Sequence, residues 1–429
     1  MDFLSITLKT VTPLFLCGAN PHDSPELRAP SIKGMMRFWY RAIDPDYRQW
    51  EDKIFGSTDH GEGSFLIKVI PQFIKKGKKD DNFPKGITYL GYGPILRNKA
   101  TKDYMRPDTV FTVEFRLKET EGRDIIIKKI EKSLWALCVL GGLGSRSRRG
   151  FGSLRVENIT GSSFEYPWQF NNFESFKECL EGFCASLPKR QNLPTHTCFS
   201  EKTRCVVVYQ KNDALQWLGN ELLNYRSFYG DNPPNFKKDK EDVFDYLDKG
   251  NAPTAPPLRT VFGLPHNYFF TKSFNHLKGR APRSLFKKNT IKKLLNNGLV
   301  KVSDDGKFIF FVNGFKNRLN NIISDESEIK NILNIWQQSL KGTVELNLME
   351  DNQKGRRASP IIFHIQKFKD NTECVVATFF PSKFIPDDKC ITISNNFNMS
   401  KEISPLSINF KAIDDFMTRL EKAGGHRIL

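Results

Sequence analysis

The chain has 429 residues, enough for two or three domains with their own cores, and its formal net charge is +17. Such a charge favours a polyanionic partner, although surplus Lys alone also serves solubility. No apolar run is long enough to span a bilayer, and the N-terminus lacks the basic start and long apolar core of a signal peptide. The sequence therefore predicts a cytoplasmic protein that has no membrane partner.

The first 160 residues follow the pattern of a split β-α-β unit. Alternation and β-branched residues indicate strands, and apolar residues at three-and-four spacing indicate helices. The predicted strands are residues 3–11, 65–70, 110–117 and 150–156, and the predicted helices are residues 32–43 and 125–139. The series β-α-β-β-α-β is that of a ferredoxin-like domain, in which strands one and three are central neighbours. We therefore expect the loop after strand one, the start of the first helix and the bend after the second helix to line one groove.

That bend, residues 140–154, reads LGGLGSRSRRGFGSL. Glycines let backbone N–H groups turn outward, and consecutive outward N–H groups form an anion-binding concavity. Gly144 and Ser145 lie beside three guanidiniums, those of Arg146, Arg148 and Arg149, which add forked donors suited to phosphate. The pattern predicts a phosphate-binding bend.

Two familiar phosphate-binding loops do not fit the bend. A Walker loop ends in Gly-Lys-Ser/Thr, and a dinucleotide fingerprint requires a third glycine at position 147, which is Ser147. Those loops also run from strand to helix, whereas this bend runs from a predicted helix to a predicted strand. A repeated phosphate, as in a nucleic-acid backbone, is the favoured ligand.

The first helix carries a basic stripe formed by Lys33, Arg37 and Arg41 at four-residue spacing. Gly34 in its first turn allows close approach of a ligand, and Ser31 is a candidate cap. Arg28 precedes the helix and joins the candidate nucleic-acid contacts. The alternative is a solvated face of an ordinary amphipathic helix, which weighs most for Arg41.

The remaining elements are predicted with less detail. A polar, Lys-rich insert at residues 70–107 contains a predicted hairpin strand at residues 87–92. Later predictions are helices at residues 173–187, 213–228, 327–340 and 411–423, strands at residues 204–209, 308–312 and 343–349, a hairpin of residues 360–368 and 373–380, and loops at residues 229–242 and 249–257. The chain then reaches Gly424 and Gly425, a short echo of the first bend, with the final strand missing.

The eight cysteines include no C-x-x-C pair, and Cys138 and Cys205 lie in apolar elements typical of reduced core thiols. A zinc site from residues 179, 184, 196 and 198 lacks ligand spacing. Asp59, His60 and Glu62 fit a turn better than a metal site. His266 and His364 lie in apolar contexts that indicate structural histidines.

Three stretches resemble a known family. PSIKGMMRFWYRA, IFGSTDHGEGSF and LGGLGSRSRRGFGSL are similar to the RAMP superfamily of CRISPR-associated RNA-binding proteins, more narrowly to the first-numbered subunit of the Cmr (type III-B) effector complex. TVFGLPH and RRASPIIFHIQKF fit the same family. The resemblance implies an α+β protein with two tandem ferredoxin-like βαββαβ domains, here residues 1–160 and 201–429, joined by a helical connector at residues 161–200.

The resemblance also implies a function. The expected protein is a non-catalytic subunit, without cofactor or metal, that binds the guide RNA (crRNA) on its 3′ side. Target RNA and other Cmr subunits are the further expected partners, and Arg356 and Arg357 extend the candidate RNA contacts into the second half.

One alternative is a metal-dependent endoribonuclease that uses His22 or Asp23, in a loop where related subunits carry a cleaving aspartate. The sequence NPHDSPE also suits a simple turn, and the resembled family is not the cleaving subunit. Another alternative is an architectural cap held by protein contacts alone.

Overall fold

The computed structural model describes residues 2–18, 20, 24–227, 236–269, 279–340, 343–350, 353–386, 389–397, 399–403 and 408–429. The chain is divided into two compact units. The first comprises Met1–Pro234, Ser359–Phe384 and Phe410–Leu429, and the second comprises Asn235–Ala358 and Ile385–Asn409. The first unit contains two ferredoxin-like domains, and the second unit is inserted in the sequence of the second domain.

The first domain has the predicted series of elements. These are β1 (Asp2–Thr10), α1 (Ala29–Ile43), β2 (Phe65–Phe73), β3 (Val110–Leu117), α2 (Arg123–Leu140) and β4 (Leu154–Thr160). The sheet order is β4-β1-β3-β2, with every neighbouring pair antiparallel. The prediction that strands one and three are central neighbours is confirmed, whereas the last strand begins four residues later than predicted.

The predicted apolar stripe of α1 explains why this helix packs on the sheet. Ile32, Met36, Trp39 and Ile43 are all buried, and they share one side of the helix at three-and-four spacing. In β1, Leu4, Ile6 and Leu8 are buried while the residues between them are partly exposed. One face of the sheet is therefore closed by the helices.

The insert between β2 and β3 differs from its prediction. Residues 85–90 form a short helix, Lys85–Leu90, instead of the predicted strand at residues 87–92. Its Gly86 packs so closely on a later helix that a Cβ would lie 2.6 Å from the Gln216 carbonyl oxygen. Tertiary packing therefore outweighs the β-branched composition. The insert also contains a small hairpin, Ile95–Leu96 with Lys99–Ala100, and the pair Lys76–Gly77 with Tyr104–Met105.

A helical connector, α3 (Phe173–Ser186), leads to the second domain and begins with a reciprocal capping box of Asn172 and Ser175. The second domain consists of β5 (Arg204–Gln210), α4 (Ala214–Tyr225), β6 (Ile361–Lys367), β7 (Glu373–Phe379), α5 (Lys411–Lys422) and β8 (Gly425–Arg427). Its sheet order is β6-β7-β5-β8, the arrangement of the first domain.

Two predictions for the second domain have opposite outcomes. The hairpin is confirmed by antiparallel pairing of β6 with β7. The prediction that the final strand is missing is wrong, because β8 pairs with residues 206–208 of β5. Three residues are too few to show the alternation by which a strand is recognised from sequence.

The inserted unit has a sheet of its own, formed by His266–Phe269, Thr343–Glu350, Cys390–Asn395 and Ser400–Ile403, with Gln353–Gly355 on its edge. A second sheet combines Arg280–Pro282, Phe308–Phe311 and Val300–Val302. The helices are Phe236–Lys249, Lys288–Asn296, Phe315–Leu319 and Glu326–Ser339.

The first of these helices corrects the loop predicted at residues 229–242. Residues 228–235 lie outside the described part, but the helix begins at Phe236. Phe236, Val243 and Tyr246 are buried on one side of it, together with Asp239. The numerous charged residues between them concealed this helical periodicity.

Candidate nucleic-acid interface

In the structure the glycine-rich bend comprises residues 141–153, because α2 ends at Leu140 and β4 begins at Leu154. It folds back on the segment that follows β1. Ser145 N–H donates to the Phe15 carbonyl oxygen at 2.9 Å, and Gly152 N–H donates to that of Pro13 at 3.0 Å. Gly144 has φ +75°, and a Cβ on it would lie 2.6 Å from the Phe15 carbonyl oxygen. Only glycine allows this approach. The predicted proximity of the bend and the loop after strand one is confirmed.

The backbone of the bend does not form the predicted concavity of consecutive outward N–H groups. Every second N–H group already donates to a carbonyl oxygen: residue 143 to 152, residue 145 to 15, residue 147 to 144 and residue 149 to 146. The prediction of a continuous backbone nest is therefore wrong. Cationic side chains have to supply most of the attraction for an anion.

The three guanidiniums of the bend occupy different environments. Arg146 is exposed and has φ +63°, and its side chain makes no hydrogen bond or ion pair with any residue that the structure describes. Arg148 donates from Nη2 to the Ser359 carbonyl oxygen at 2.7 Å, and its guanidinium lies 5.7 Å from the Phe38 ring centroid. Burial, followed by the charge of Arg226, lowers the pKa of Arg149 to about 9. Arg146 is the guanidinium that faces solvent.

A backbone hydrogen bond brings the start of α1 toward the bend. Glu26 N–H donates to the Leu16 carbonyl oxygen at 3.0 Å, next to the Phe15 carbonyl that accepts from the bend. Arg28, two residues later, is the N-cap residue of α1 and makes no ion pair among the described residues. The predicted capping by Ser31 is wrong, because the helix begins at Ala29 without a side-chain cap.

Gly34 opens the surface of α1 beside the bend. It is exposed, and a Cβ placed on it would meet nothing within 4 Å. Residues four apart lie on the same side of a helix, so Gly34 precedes Phe38, the ring beneath Arg148, by one turn. Gly34 and Phe38 therefore share one side of α1, and the surface of the helix at Gly34 carries no side chain.

The basic stripe of α1 is largely engaged within the protein. Arg37 and Arg41 both form ion pairs with Glu51, a buried carboxylate in the short helix Glu51–Phe55. Lys33 Nζ lies 4.8 Å from the Phe65 ring centroid, and burial followed by the charge of Lys118 lowers its pKa. Sequence reasoning missed Glu51, and no local pattern marks it as the partner of two arginines.

Arg356 and Arg357 belong to the inserted unit. The backbones of Arg357 and Leu264 exchange hydrogen bonds of 2.8 and 3.1 Å, which fixes the local chain direction. Arg356 is exposed and has no ion pair among the described residues. In the same unit, the Arg280 guanidinium lies 3.8 Å from the Phe308 ring centroid.

The bend is also attached to the second domain through a buried histidine. His364 Nδ1 lies 2.6 Å from the Gly141 carbonyl oxygen, and Nε2 lies 3.2 Å from the side-chain amide of Gln366. Burial lowers the pKa of His364 to about 4, so the ring is neutral at pH 7. The predicted structural role of His364 is confirmed, although its contact with the bend was not foreseen.

A serine of the bend makes a second connection. Ser153 Oγ accepts a hydrogen bond from Ile365 N–H and donates one to the Gly150 carbonyl oxygen, each at 3.0 Å. The Phe363 N–H donates to the Arg148 carbonyl oxygen at 3.2 Å. Strand β6 therefore holds the second half of the bend in place, while Arg146 stays at its exposed tip.

The candidate metal residues are placed as follows. His22 and Asp23 lie outside the described residues. Within the described part of the chain, no group of three or more His, Cys, Asp or Glu side chains is placed to hold a metal ion, and this includes the cysteines at 179, 184 and 198. Asp59 and His60 form the predicted turn, between Gly56–Ser57 and Gly61–Glu62. No described helix is long and apolar enough to traverse a bilayer.

Comparisons with known proteins find similar sequences. A model of the RAMP superfamily matches residues 7–155. The CRISPR system Cmr subunit Cmr1-2 of Pyrococcus furiosus is 33% identical over 181 residues, which cover 35% of this chain and 94% of that protein. Cmr1-1 of the same organism is 30% identical over 188 residues, 41% of this chain and 54% of that protein. The chain thus matches about half the length of Cmr1-1.

Two solved structures of Cmr proteins are similar to the chain at lower sequence identity. The crystal structure of Cmr1 from Pyrococcus furiosus in its apo form has a TM-score of 0.49 at 15% identity, covering 99% of this chain and 98% of that chain. A subunit of the type III-B Cmr-beta complex bound to cognate target RNA has a TM-score of 0.45 at 13% identity, with coverage of 98% and 99%.

Fold and bend together define a tandem ferredoxin-like protein with a basic, glycine-rich connection after the second helix of its first domain. By its sequence relatives, the chain belongs to the RAMP superfamily and, within it, to the family of the Cmr1 subunits.

Proposed function

We propose that this chain is a non-catalytic, RNA-binding subunit of a type III-B CRISPR complex, located on the 3′ side of the guide RNA. In this role it helps to hold the duplex of guide and target RNA. Its sequence relatives are Cmr subunits, and one solved complex of similar subunits is described as bound to target RNA. The net charge of +17 suits a phosphate backbone.

The single observation that carries the proposal is the exposed Arg146. Its left-handed backbone holds the side chain at the tip of a bend whose other residues are fixed by hydrogen bonds to two domains. A cation that the protein fixes in place, yet does not pair with a described residue, is suited to an anionic ligand. Arg28 and the bare surface at Gly34 extend this region along the start of α1.

We assign the predicted contacts to two roles. Arg146 and Arg28 grip phosphates directly, and Ser145 and Gly34 allow the backbone to come close. Arg148 and Arg149 chiefly support the bend. Contacts of this kind fix the position of RNA without reading its sequence, and base pairing between guide and target supplies recognition.

The test measures how the affinity of the purified chain for a single-stranded guide RNA depends on salt. Each lost phosphate contact is expected to flatten the log–log slope by about 0.7. Arg146→Ala and Arg28→Ala should each show this change. Lys202→Ala removes an exposed cation from the turn before β5 and serves as the matched control. Unchanged slopes in both arginine variants would contradict the proposal.

A second measurement addresses catalysis. Wild-type chain is incubated with guide RNA and labelled target RNA, with and without a divalent metal ion. We expect both RNAs to remain intact. Metal-dependent cleavage that disappears in Asp23→Ala would instead establish the endoribonuclease alternative.

A further inference from the structure

The insert between β2 and β3 is seated directly on the glycine-rich bend. A Cβ on Gly91 would lie 2.8 Å from the Phe151 ring, and one on Gly93 would lie 3.5 Å from Arg146 Nη2. Lys102 Nζ, in the same insert, lies 3.4 Å from Cys17 Sγ in the loop after β1. These contacts place the insert within reach of any ligand that touches Arg146.

Tyr92 lies between those two glycines and is directed outward. Its side chain is 64% exposed, the highest fraction among the large hydrophobic side chains of the described residues. Gly93, the next residue, has φ +107°, and a Cβ placed on it would lie 3.5 Å from Arg146 Nη2. Tyr92 is therefore one residue away from the contact of the insert with Arg146.

The backbone beneath Tyr92 is rigidly supported. Gly91 N–H donates to the Ile87 carbonyl oxygen, and Ile95 N–H donates to that of Gly91, both at 2.9 Å. The short helix before Tyr92 is fixed by Gly86, where a Cβ would lie 2.6 Å from the Gln216 carbonyl oxygen. The backbone at residue 92 is therefore ordered before a ligand binds, so stacking on Tyr92 costs mainly the conformational entropy of its side chain.

We propose that Tyr92 forms a nucleobase subsite, on which an unpaired base of the RNA stacks while Arg146 holds an adjacent phosphate. The inference rests on the proposed function and names the next contact of that site. Aromatic residues beside cations are the usual platform for single-stranded nucleic acid, because every base has a flat π-face. The subsite is therefore indifferent to base identity but requires a base.

The test combines three variants of the full chain with two single-stranded RNA oligonucleotides of equal length. One RNA is normal, and the other carries abasic positions. Tyr92→Ala is expected to weaken binding of the normal RNA about 5- to 100-fold and to leave the salt slope unchanged, since no charge is removed. Tyr92→Phe, which keeps the ring, should bind like the wild type. Tyr209→Ala, another exposed tyrosine (46%), is the matched control.

The abasic RNA separates stacking from other effects. Wild type and Tyr92→Ala should bind it with equal affinity, because it offers no base at the abasic positions. The subsite would be overturned if Tyr92→Phe binds the normal RNA as weakly as Tyr92→Ala does. It would also be overturned if Tyr92→Ala loses as much affinity for the abasic RNA as for the normal RNA.

Failure of this inference is distinguishable from failure of the proposed function. If Arg146→Ala flattens the salt slope while Tyr92→Ala has no effect, the phosphate contact stands and the base subsite falls; Tyr92 then remains available to a protein neighbour. If Tyr92→Ala acts and Arg146→Ala does not, the base subsite stands without the phosphate contact. Absence of binding by wild-type chain would overturn both.

Discussion

The two ferredoxin-like domains share one strand order but differ in the connection from their second helix to their last strand. In the first domain this connection is the glycine-rich bend, residues 141–153, and β4 that follows has seven residues. In the second domain, only Ala423 and Gly424 join α5 to β8, which has three residues. The same position in the fold is thus elaborated in one copy and minimal in the other.

The difference indicates a division of labour. In the short connection of the second domain, Gly424 is exposed and has a left-handed backbone conformation. A Cβ placed on it would meet nothing within 4 Å. The long bend is held from both sides, by the segment after β1 and by His364 and Ile365 of β6. One copy therefore presents the candidate RNA surface, and the other copy supports it.

The largest expected effect on stability comes from replacing one glycine in each of the two connections with alanine. At Gly152, which has φ +62°, a Cβ would lie 2.0 Å from the Leu143 carbonyl oxygen, so Gly152→Ala combines backbone strain with a steric clash. We expect it to lower the free energy of unfolding by about 3 kcal/mol. At Gly424, which has φ +89° and open space, Gly424→Ala should cost only about 1 kcal/mol. Chemical denaturation measures both, and equal losses would remove the proposed contrast between the two connections.

The next effect tests the attachment of the bend to the second domain through His364. Because burial lowers the pKa of His364 to about 4, below its unfolded value of about 6.5, the unfolded chain binds a proton first as the pH falls. This contribution to stability is present above pH 6.5 and decreases toward pH 4. Between pH 7 and pH 5 the free energy of unfolding should fall by about 2 kcal/mol more in the wild type than in His364→Gln, whose glutamine side chain does not titrate.

The control for this experiment is His426→Gln, a histidine of β8 that is exposed and whose substitution leaves the bend intact. If the free energy of unfolding of His364→Gln depends on pH as that of the wild type does, His364 is not the buried neutral group that secures Gly141.

The fold of the first domain was predictable because each of its elements is long enough to show its own period. The second domain was harder to predict, since residues 235–358 separate α4 from β6 and β8 has only three residues. The hairpin of β6 and β7 was still evident from two apolar runs across a short turn. Pairing of β5 with strands more than 150 residues away is set by tertiary contacts that local patterns do not contain.

The candidate site shows the same limit. Glycines and arginines in residues 140–154 predicted an anion-binding bend, and the residue types were sufficient for that step. They did not distinguish Arg146, exposed at the tip, from Arg148, which donates to Ser359 more than 200 residues later. Nor did they show that Arg37 and Arg41 share the buried Glu51. Burial and partners are properties of the assembled domains.

The smallest expected effect on stability concerns Gly34, and here stability and binding should change in opposite directions. Gly34 lies inside α1 with open space around its missing Cβ, so Gly34→Ala should raise the free energy of unfolding by about 0.5–1 kcal/mol. If an RNA backbone lies on this strip of helix, the added methyl group should also weaken RNA binding. Gly182→Ala, in the middle of α3, is the matched control, since its Cβ would meet one ring atom at an ordinary 3.7 Å. Both variants should be stabilised, and only Gly34→Ala should lose affinity for RNA.

Unfolding cannot explain a stabilised protein that binds RNA less well. That pair of results would therefore locate the RNA on the face of α1 beside Phe38 and Arg148. Unchanged affinity of Gly34→Ala would confine the RNA to the bend.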